Sequence, residues 1–416
     1  MSPGHRPNQH PDVAHSPEPS NQSTTRSTTP THPAGSSTTA TLVVTALLVL
    51  TQLYAAIPLL RPVSDQLHGN ATFALSTAFS LTYAAGFLIW GPVSDHYGRR
   101  RIMALALGIL TVSTACCTLA PSLPVLAALR AVQGLSASGF APVALAHLSE
   151  APAPPRRPRA IGAMSTSFLV AGIAGQVLAS LVALHLGWRW FFPLCAGLLA
   201  VALVVILAVV HDAAPASGPS GSSLRGQFQA LGRLALRPAV LALSLAHLTL
   251  LMVFVAMYTG IGGHLESLGM RPSTIILIRL AALPAMFLSL GAGALATRWS
   301  WPQVARVGFG LSALGMVGEA LLAGSLVGLV AASVVYVAGV ALAAPAMISL
   351  YGQVSAPNRG SGMALNGFIL FIGTSIGPLL AMLVPTFRGL TLVLAGILAL
   401  ALAAVSGFKA LVGAER

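Results

Sequence analysis

The sequence predicts an all-α integral membrane protein of twelve transmembrane helices, arranged as two six-helix, pseudo-symmetric bundles. Three observations predict it. The composition is 55% hydrophobic and 7% charged with a mean hydropathy of +0.82, far from the quarter or so of charged residues in a soluble domain. Apolar runs repeatedly reach about 20 residues, the length a helix needs to cross a bilayer core, and they lack the short alternating pattern of an outer-membrane barrel. Finally, six runs, a polar break and six further runs divide the chain, and the two sets repeat each other.

Residues 1–38 are rich in Ser, Thr, Pro and His without an apolar core. They cannot serve as a secretory signal or bury enough surface to fold, which predicts a disordered cytoplasmic tail. Its histidines His5, His10, His15 and His32 lack a fixed ligand spacing, so no metal site is expected. The first bundle occupies 39–210, with helices near 40–60, 71–93, 102–120, 124–149, 160–184 and 190–210. Residues 211–238, HDAAPASGPSGSSLRGQFQALGRLALRP, scatter Asp212, Arg225, Arg233 and Arg237 among Pro, Gly and Ser, the composition of a cytoplasmic linker with one short surface helix. The second bundle occupies 239–411, with helices near 239–262, 273–296, 302–324, 326–350, 362–385 and 389–411, and 412–416 form a short cytoplasmic tail. Cys116, Cys117 and Cys195 fall inside predicted spans and read as packing residues.

A net charge of +13 would point to nucleic acid in a soluble protein, but here the arginines lie mostly in short connections, where they set orientation instead. With the N-terminus inside, Arg99, Arg100, Arg101, Arg156, Arg157, Arg159, Arg225, Arg233, Arg237, Arg298, Arg306 and Arg359 lie on cytoplasmic connections or helix ends. Only Arg61, Arg189, Arg271 and Arg388 fall outside. This bias predicts that both termini are cytoplasmic; the protein is further expected to be a multi-pass, monomeric protein of the plasma (inner) membrane, surrounded by lipid and without a nucleic-acid partner. The halves also repeat: Pro142, Arg157 and Gly175 recur as Pro345, Arg359 and Gly377, displaced by 202 or 203 residues. Six helices per half make these parallel repeats, the arrangement that places a substrate site between two halves and permits alternating access.

The stretch GPVSDHYGRRR (91–101) concentrates charge in a chain that otherwise avoids it. Gly91 is expected to let a neighbouring helix approach, Gly98 to allow a tight turn, and the arginines to stay in the aqueous interface. Arg101 reads as a topogenic charge, whereas an acid among such arginines has no orienting role, so Asp95 needs another reason. GxxxDxxGRR between helices 2 and 3 resembles the signature loop of the major facilitator superfamily, and the resemblance spans 40–411. It is similar to the twelve-helix drug:proton antiporter or arabinose-efflux-like branch. The resemblance implies the major facilitator fold and a conformational latch made of Gly91, Asp95, Gly98, Arg99 and Arg100. In it Asp95 faces the start of helix 11 near Ser361 to Met363 and holds the outward-facing state. The second half reads GALATRWSWPQVAR (293–306), with Thr297 in place of the acid, so its latch is degenerate.

Further along, LAALRAVQGLSASG (126–139) resembles the family's RxxQG motif, carried by Arg130, Gln133 and Gly134. A membrane-embedded arginine needs a reason. Either Arg130 is a cation of the central cavity that governs proton or substrate binding, or it snorkels to the outer interface. The drug-exporting branch carries a glycine–proline pattern in helix 5 that tightens the interface between halves. Here Gly172 and Gly175 precede Gln176 where proline is expected, while Gly373, Gly377 and Pro378 keep the pattern in helix 11. GWRWFF (187–192) and LYAAIPLLRPVSDQL (53–67) are further family-like segments.

Helices 1, 4, 7 and 10 line the central cavity in this superfamily. The resemblance therefore implies Gln52, Tyr54, Arg130, Gln133, His247, Tyr258 and Tyr336 as residues for substrate or proton coupling. Met252, Met257 and Met347 are either adaptable cavity surface or packing, and His247 is either an acid–base group or a hydrogen-bonded core histidine. Arg279 and Glu319 lie at similar depths, roughly 9 and 8 Å from the outer ends of helices 8 and 9 at about 1.5 Å per residue. They are expected to pair, the alternative being that each reaches the outer interface alone. Glu319 is also the default proton carrier if transport is proton-coupled.

No GxSxG elbow, HExxH, phosphate loop or paired carboxylate is present, so neither an enzyme nor a cofactor or metal is expected. The predicted cavity helices offer too few amides and acids for a sugar. The reading is export of a small amphipathic molecule, a drug or secondary metabolite, driven by protons by family resemblance. Export of a sugar or amino acid and a transport-inactive membrane receptor are the alternatives, and the intact first latch argues against the receptor.

Overall fold

The computed structural model describes residues 36–150, 156–211, 224–355 and 359–414. Among the described residues, 12 helices are long and apolar enough to cross a membrane. Helices 1 to 6 are Ser36–Tyr54, Phe73–Gly91, Arg99–Cys117, Leu123–Leu148, Ala160–His185 and Trp188–Val209. Helices 7 to 12 are Pro238–Ser267, Ser273–Arg298, Trp301–Leu321, Leu326–Val354, Gly362–Leu383 and Phe387–Phe408. Helix 1 starts at Ser36, so the last residues assigned to the tail are helical, and the remainder of that tail lies outside the described residues. Of the linker, 212–223 also lie outside them, while Leu224–Ala235 forms the expected short helix and packs against helix 11.

Each span is helical because a backbone in lipid must satisfy its own hydrogen bonds. The starts follow local chemistry. Ser300 caps helix 9 in a reciprocal box with Gln303, and Ser325 accepts from the Gly328 N–H at the start of helix 10. Gly98, with φ +93°, makes the tight turn between helices 2 and 3 that its residue type predicts.

Three prolines break spans one turn upstream, because each removes a donor to the residue four positions earlier. Pro58 follows the interruption at Ala55, after which the chain continues as Ala56–Gln66. Pro142 follows the interruption between Ala137 and Ala141 in helix 4. Pro284 follows the end of Pro272–Ala281, so that helix 8 continues through the short Leu283–Met286 and a 3-10 segment, Phe287–Gly291, before Ala292–Arg298. Helix 2 opens with a π-turn, Phe73–Thr77. Irregular backbone at this depth persists only where protein or an enclosed polar site surrounds it.

Glycines bring helices together, though not all as expected. A Cβ on Gly373 would lie 2.1 Å from the Leu248 carbonyl oxygen, and one on Gly377 would lie 2.7 Å from that of Met252. Helix 11 therefore packs on helix 7 of its own half. Gly175 likewise sets helix 5 on helix 1, its Cβ position being 3.0 Å from Thr51 Cα. The expected interface between halves is served by Gly172 alone among these glycines, its Cβ position lying 3.1 Å from Phe254 Cζ. Pro378 sits within the helix Arg359–Leu383. Gly91 departs from its expected role, since a Cβ there would meet nothing within 4 Å among the described residues.

The two halves touch at both ends of the bundle. At the end opposite the start of helix 1, Arg61 pairs with Glu266, and Ser80 Oγ lies 2.9 Å from Ser375 Oγ. Towards the other end, Phe87 stacks on Phe371 with ring centres 5.3 Å apart.

Candidate functional site

Arg130 is 1% exposed and turned inward rather than towards an interface. Its Nε donates to the Leu75 carbonyl at 2.9 Å, Nη1 to Gln133 Oε1 at 3.0 Å, and Nη2 to the Gln52 carbonyl at 2.9 Å. The backbone supplies these acceptors where its ladder is disturbed: Leu75 is in the π-turn and Gln52 in the last turn before the break at Ala55. The guanidinium also lies 4.3 Å from the centre of the Phe79 ring. Gln133 passes the network on, its Nε2 donating to Thr114 Oγ1 at 2.7 Å. Gly134 completes the motif by steric necessity, because a Cβ there would lie 2.1 Å from the Phe79 carbonyl oxygen. All three guanidinium nitrogens are thus used within the first half, and the RxxQG segment locks helix 4 to helices 1, 2 and 3.

A second buried polar layer spans the halves. Tyr54 of helix 1 meets Phe254 of helix 7 edge-on at 5.8 Å, and Phe254 in turn contacts Tyr258 at 4.8 Å. Glu319 is the one acid buried among the described residues. Its Oε1 accepts from Ser333 Oγ at 2.7 Å, while Oε2 has no partner. The hydroxyls of Tyr258 and Tyr336 are buried, also without hydrogen-bond partners, and both lie within electrostatic range of Glu319. Close packing of helices 9 and 10 puts Glu319 and Tyr336 in one layer, for a Cβ on Gly315 would lie 2.5 Å from the Tyr336 nitrogen.

Arg279 does not join Glu319. The salt bridge among the described residues is Arg61–Glu266, and Arg279 instead donates from Nη1 to Ser180 Oγ of helix 5 at 3.0 Å. The expected pair fails because agreement in depth leaves azimuth free: Arg279 faces helix 5 across the interface between halves, whereas Glu319 faces helix 10.

The remaining candidates stand apart. His247 is fully buried beside Tyr351, with ring centres 5.3 Å apart, and Asn366 is its polar neighbour. Met252, Met257 and Met347 are buried. At the latch, the side chain of Asp95 and that of Ser361 lie outside the described residues. Arg100 donates to the Leu207 carbonyl at 2.6 Å, near the end of helix 6. Gln176 donates to the Gly172 carbonyl at 2.6 Å within its own helix. No group that could hold a metal ion occurs among the described residues. Sequence reasoning missed Ser180 and Ser333, because a lone serine in an apolar run carries no periodic or motif signal.

A sequence model described as the Major Facilitator Superfamily matches residues 42–378. The chain is 30% identical over 129 residues to the MFS-type transporter FPY5 of Fusarium mangiferae, covering 31% of this chain and 22% of that protein. It is 27% identical over 136 residues to Multidrug resistance protein 3 of Bacillus subtilis, covering 32% and 27%. With the efflux pump aflT of Aspergillus parasiticus it shares 27% identity over 188 residues, covering 44% and 36%. The chain therefore spans well under half the length of these relatives.

Proposed function

The chain belongs to the Major Facilitator Superfamily, and on that premise we propose that it is a secondary active transporter. It exports a small amphipathic molecule by alternating access, in exchange for protons carried on Glu319, from a plasma (inner) membrane with both termini cytoplasmic. The observation that carries this reading is the geometry of Glu319. It is a fully buried carboxylate with one oxygen held by Ser333 and the other without a partner, on a helix packed closely against the one that carries Tyr336. Ionisable residues inside a bundle mark ion and proton paths, and a carboxylate with one anchored oxygen can take and release a proton on the other without losing its position.

The surroundings support an amphipathic cargo. Tyr54, Phe254, Tyr258 and Tyr336 offer aromatic faces with only a few polar tips, too few for a polyhydroxyl ligand. The relatives named as a multidrug resistance protein and an efflux pump support export. In the proposed cycle, the Arg61–Glu266 pair and the Ser80–Ser375 contact separate on the outer side so that cargo can leave, and Asp95 holds the latch on the inner side. A panel of amphipathic compounds added to acid-loaded everted vesicles tests the proposal. Substrates should release protons from wild-type vesicles and fail to do so with Glu319→Gln; equal release from the variant would refute coupling through this carboxylate.

A further inference from the structure

We propose that Arg279 is the anion-binding residue of the substrate site, and that the molecule carried is an amphipathic anion whose carboxylate docks on this guanidinium. The inference rests on the transporter reading and names its substrate class. Arg279 is only 6% exposed, and among the described residues no carboxylate lies within ion-pair distance of it. One nitrogen donates to Ser180 of the opposite half, while Nε is buried without an acceptor. A guanidinium removed from water and left without a counter-ion is among the least favourable arrangements in a protein unless a ligand supplies the missing charge.

Arg130 shows how this same fold treats an arginine whose role is structural. It is equally buried, yet each of its nitrogens has an acceptor and its face lies on Phe79. Arg279 has no such shell. The internal repeat sharpens the contrast, because the offset of 202 residues that relates Gly175 to Gly377 also relates Thr77 to Arg279. Thr77 makes the corresponding contact between halves with a hydroxyl alone, donating to the Ser375 carbonyl at 3.4 Å. Holding the halves together at this level therefore needs only a short neutral side chain, and the guanidinium of the second half is an addition with another purpose.

The immediate surroundings fit an anion. Helix 8 is interrupted directly after Arg279, where Pro284 ends the α-helical ladder at Ala281, and broken helices at this depth accompany binding sites in transporters. On helix 7, Gly262 lets the guanidinium lie close against the helix, a Cβ there being 3.3 Å from Nη2. One turn earlier on helix 7 comes Tyr258, whose buried hydroxyl has no partner and can donate; Glu319 and Arg279 are both its charged neighbours, so an anion docks here when Glu319 carries its proton. One further turn back, Phe254 extends the same stripe with an apolar ring. A carboxylate between Arg279 and Tyr258 would leave its apolar body against these rings.

The test uses the full chain in phosphatidylcholine nanodiscs without any gradient, probed with 2-naphthoate, 2-naphthamide and 2-naphthylmethylamine. Thermal unfolding is followed as a function of probe concentration, since a ligand that binds the folded state raises the midpoint by mass action. Naphthoate should raise it saturably and the amide and amine should not. Arg279→Gln should weaken naphthoate binding by about tenfold or more, the expected loss of a charge-assisted pair, with Arg279→Lys intermediate. Arg279→Thr, which installs the residue of the first half, should keep the ligand-free midpoint and lose the naphthoate response. The proposal is overturned by absence of a naphthoate shift, by a shift that survives Arg279→Gln and Arg279→Thr, by an equal shift with the amine, or by a shift that appears only with phosphatidylglycerol, which would assign the site to a lipid headgroup. Binding is read here without transport. Naphthoate binding with no proton-driven export would refute the transporter reading and leave the anion site standing, and export without naphthoate binding would do the reverse.

Discussion

Replacing Arg130 by methionine keeps much of the side-chain volume and deletes the charge, so it isolates what the guanidinium network contributes. The variant leaves the Leu75 carbonyl, the Gln52 carbonyl and Gln133 Oε1 without their donor, and the Phe79 ring without its cation. Each abandoned acceptor costs about 1 kcal/mol, the lower end of the range because none of the three carries a charge. The relief of no longer burying a cation offsets the lost charge-assisted bonds in part. A net loss of about 3 kcal/mol, or roughly a hundredfold in the unfolding equilibrium, is expected. Lysine, which cannot reproduce the planar fork, should lose about half of that, and its transport should fall nearly as far as that of Arg130→Ala. The chain carries its own reporters: Cys117 and Cys195 are buried and Cys116 is exposed, so a thiol-reactive dye reads unfolding in detergent against a constant background. A methionine variant that unfolds at the wild-type midpoint would refute the structural role of the network.

The other predictions concern the latch, the glycines and the two charges of the second half. Asp95→Asn should abolish transport in proteoliposomes while leaving expression and the unfolding midpoint near wild type; unchanged transport would remove the latch assignment. Gly134→Ala places a Cβ 2.1 Å from a backbone oxygen and should cost about 1–3 kcal/mol by overpacking, whereas Gly91→Ala, whose Cβ would meet nothing within 4 Å among the described residues, should be neutral in the same unfolding assay. Because Arg279 and Glu319 have separate partners, a double-mutant cycle of Arg279→Gln with Glu319→Gln should show stability effects that add within about 0.5 kcal/mol. A coupling well above that would restore the direct ion pair.

The spans and their number were legible because a bilayer imposes one length and one backbone solution on every crossing. The turn at Gly98 was legible because a glycine in a charged turn leaves few physical options, whereas for Arg130 the sequence left a cavity cation and a snorkelling side chain both open. What sequence could not supply was azimuth. Depth along a helix is counted residue by residue, but the direction of Arg279 towards Ser180 and of Glu319 towards Ser333 depends on how helices rotate against their neighbours. The breaks caused by Pro58, Pro142 and Pro284 alter that rotation midway. The same limit explains the glycines, since Gly373 and Gly377 sit in a family-like pattern yet face helix 7 rather than the opposite half.

The central claim, that Glu319 couples proton movement to export, is tested most directly by separating exchange from accumulation in proteoliposomes. A substrate identified in the vesicle assay is measured in two modes, equilibrium exchange of labelled for unlabelled compound and uptake driven by an imposed proton gradient. Glu319→Gln holds the carboxamide in the place of the carboxyl but cannot release a proton. The account predicts that this variant retains exchange and loses gradient-driven accumulation; accumulation at the wild-type level would contradict it.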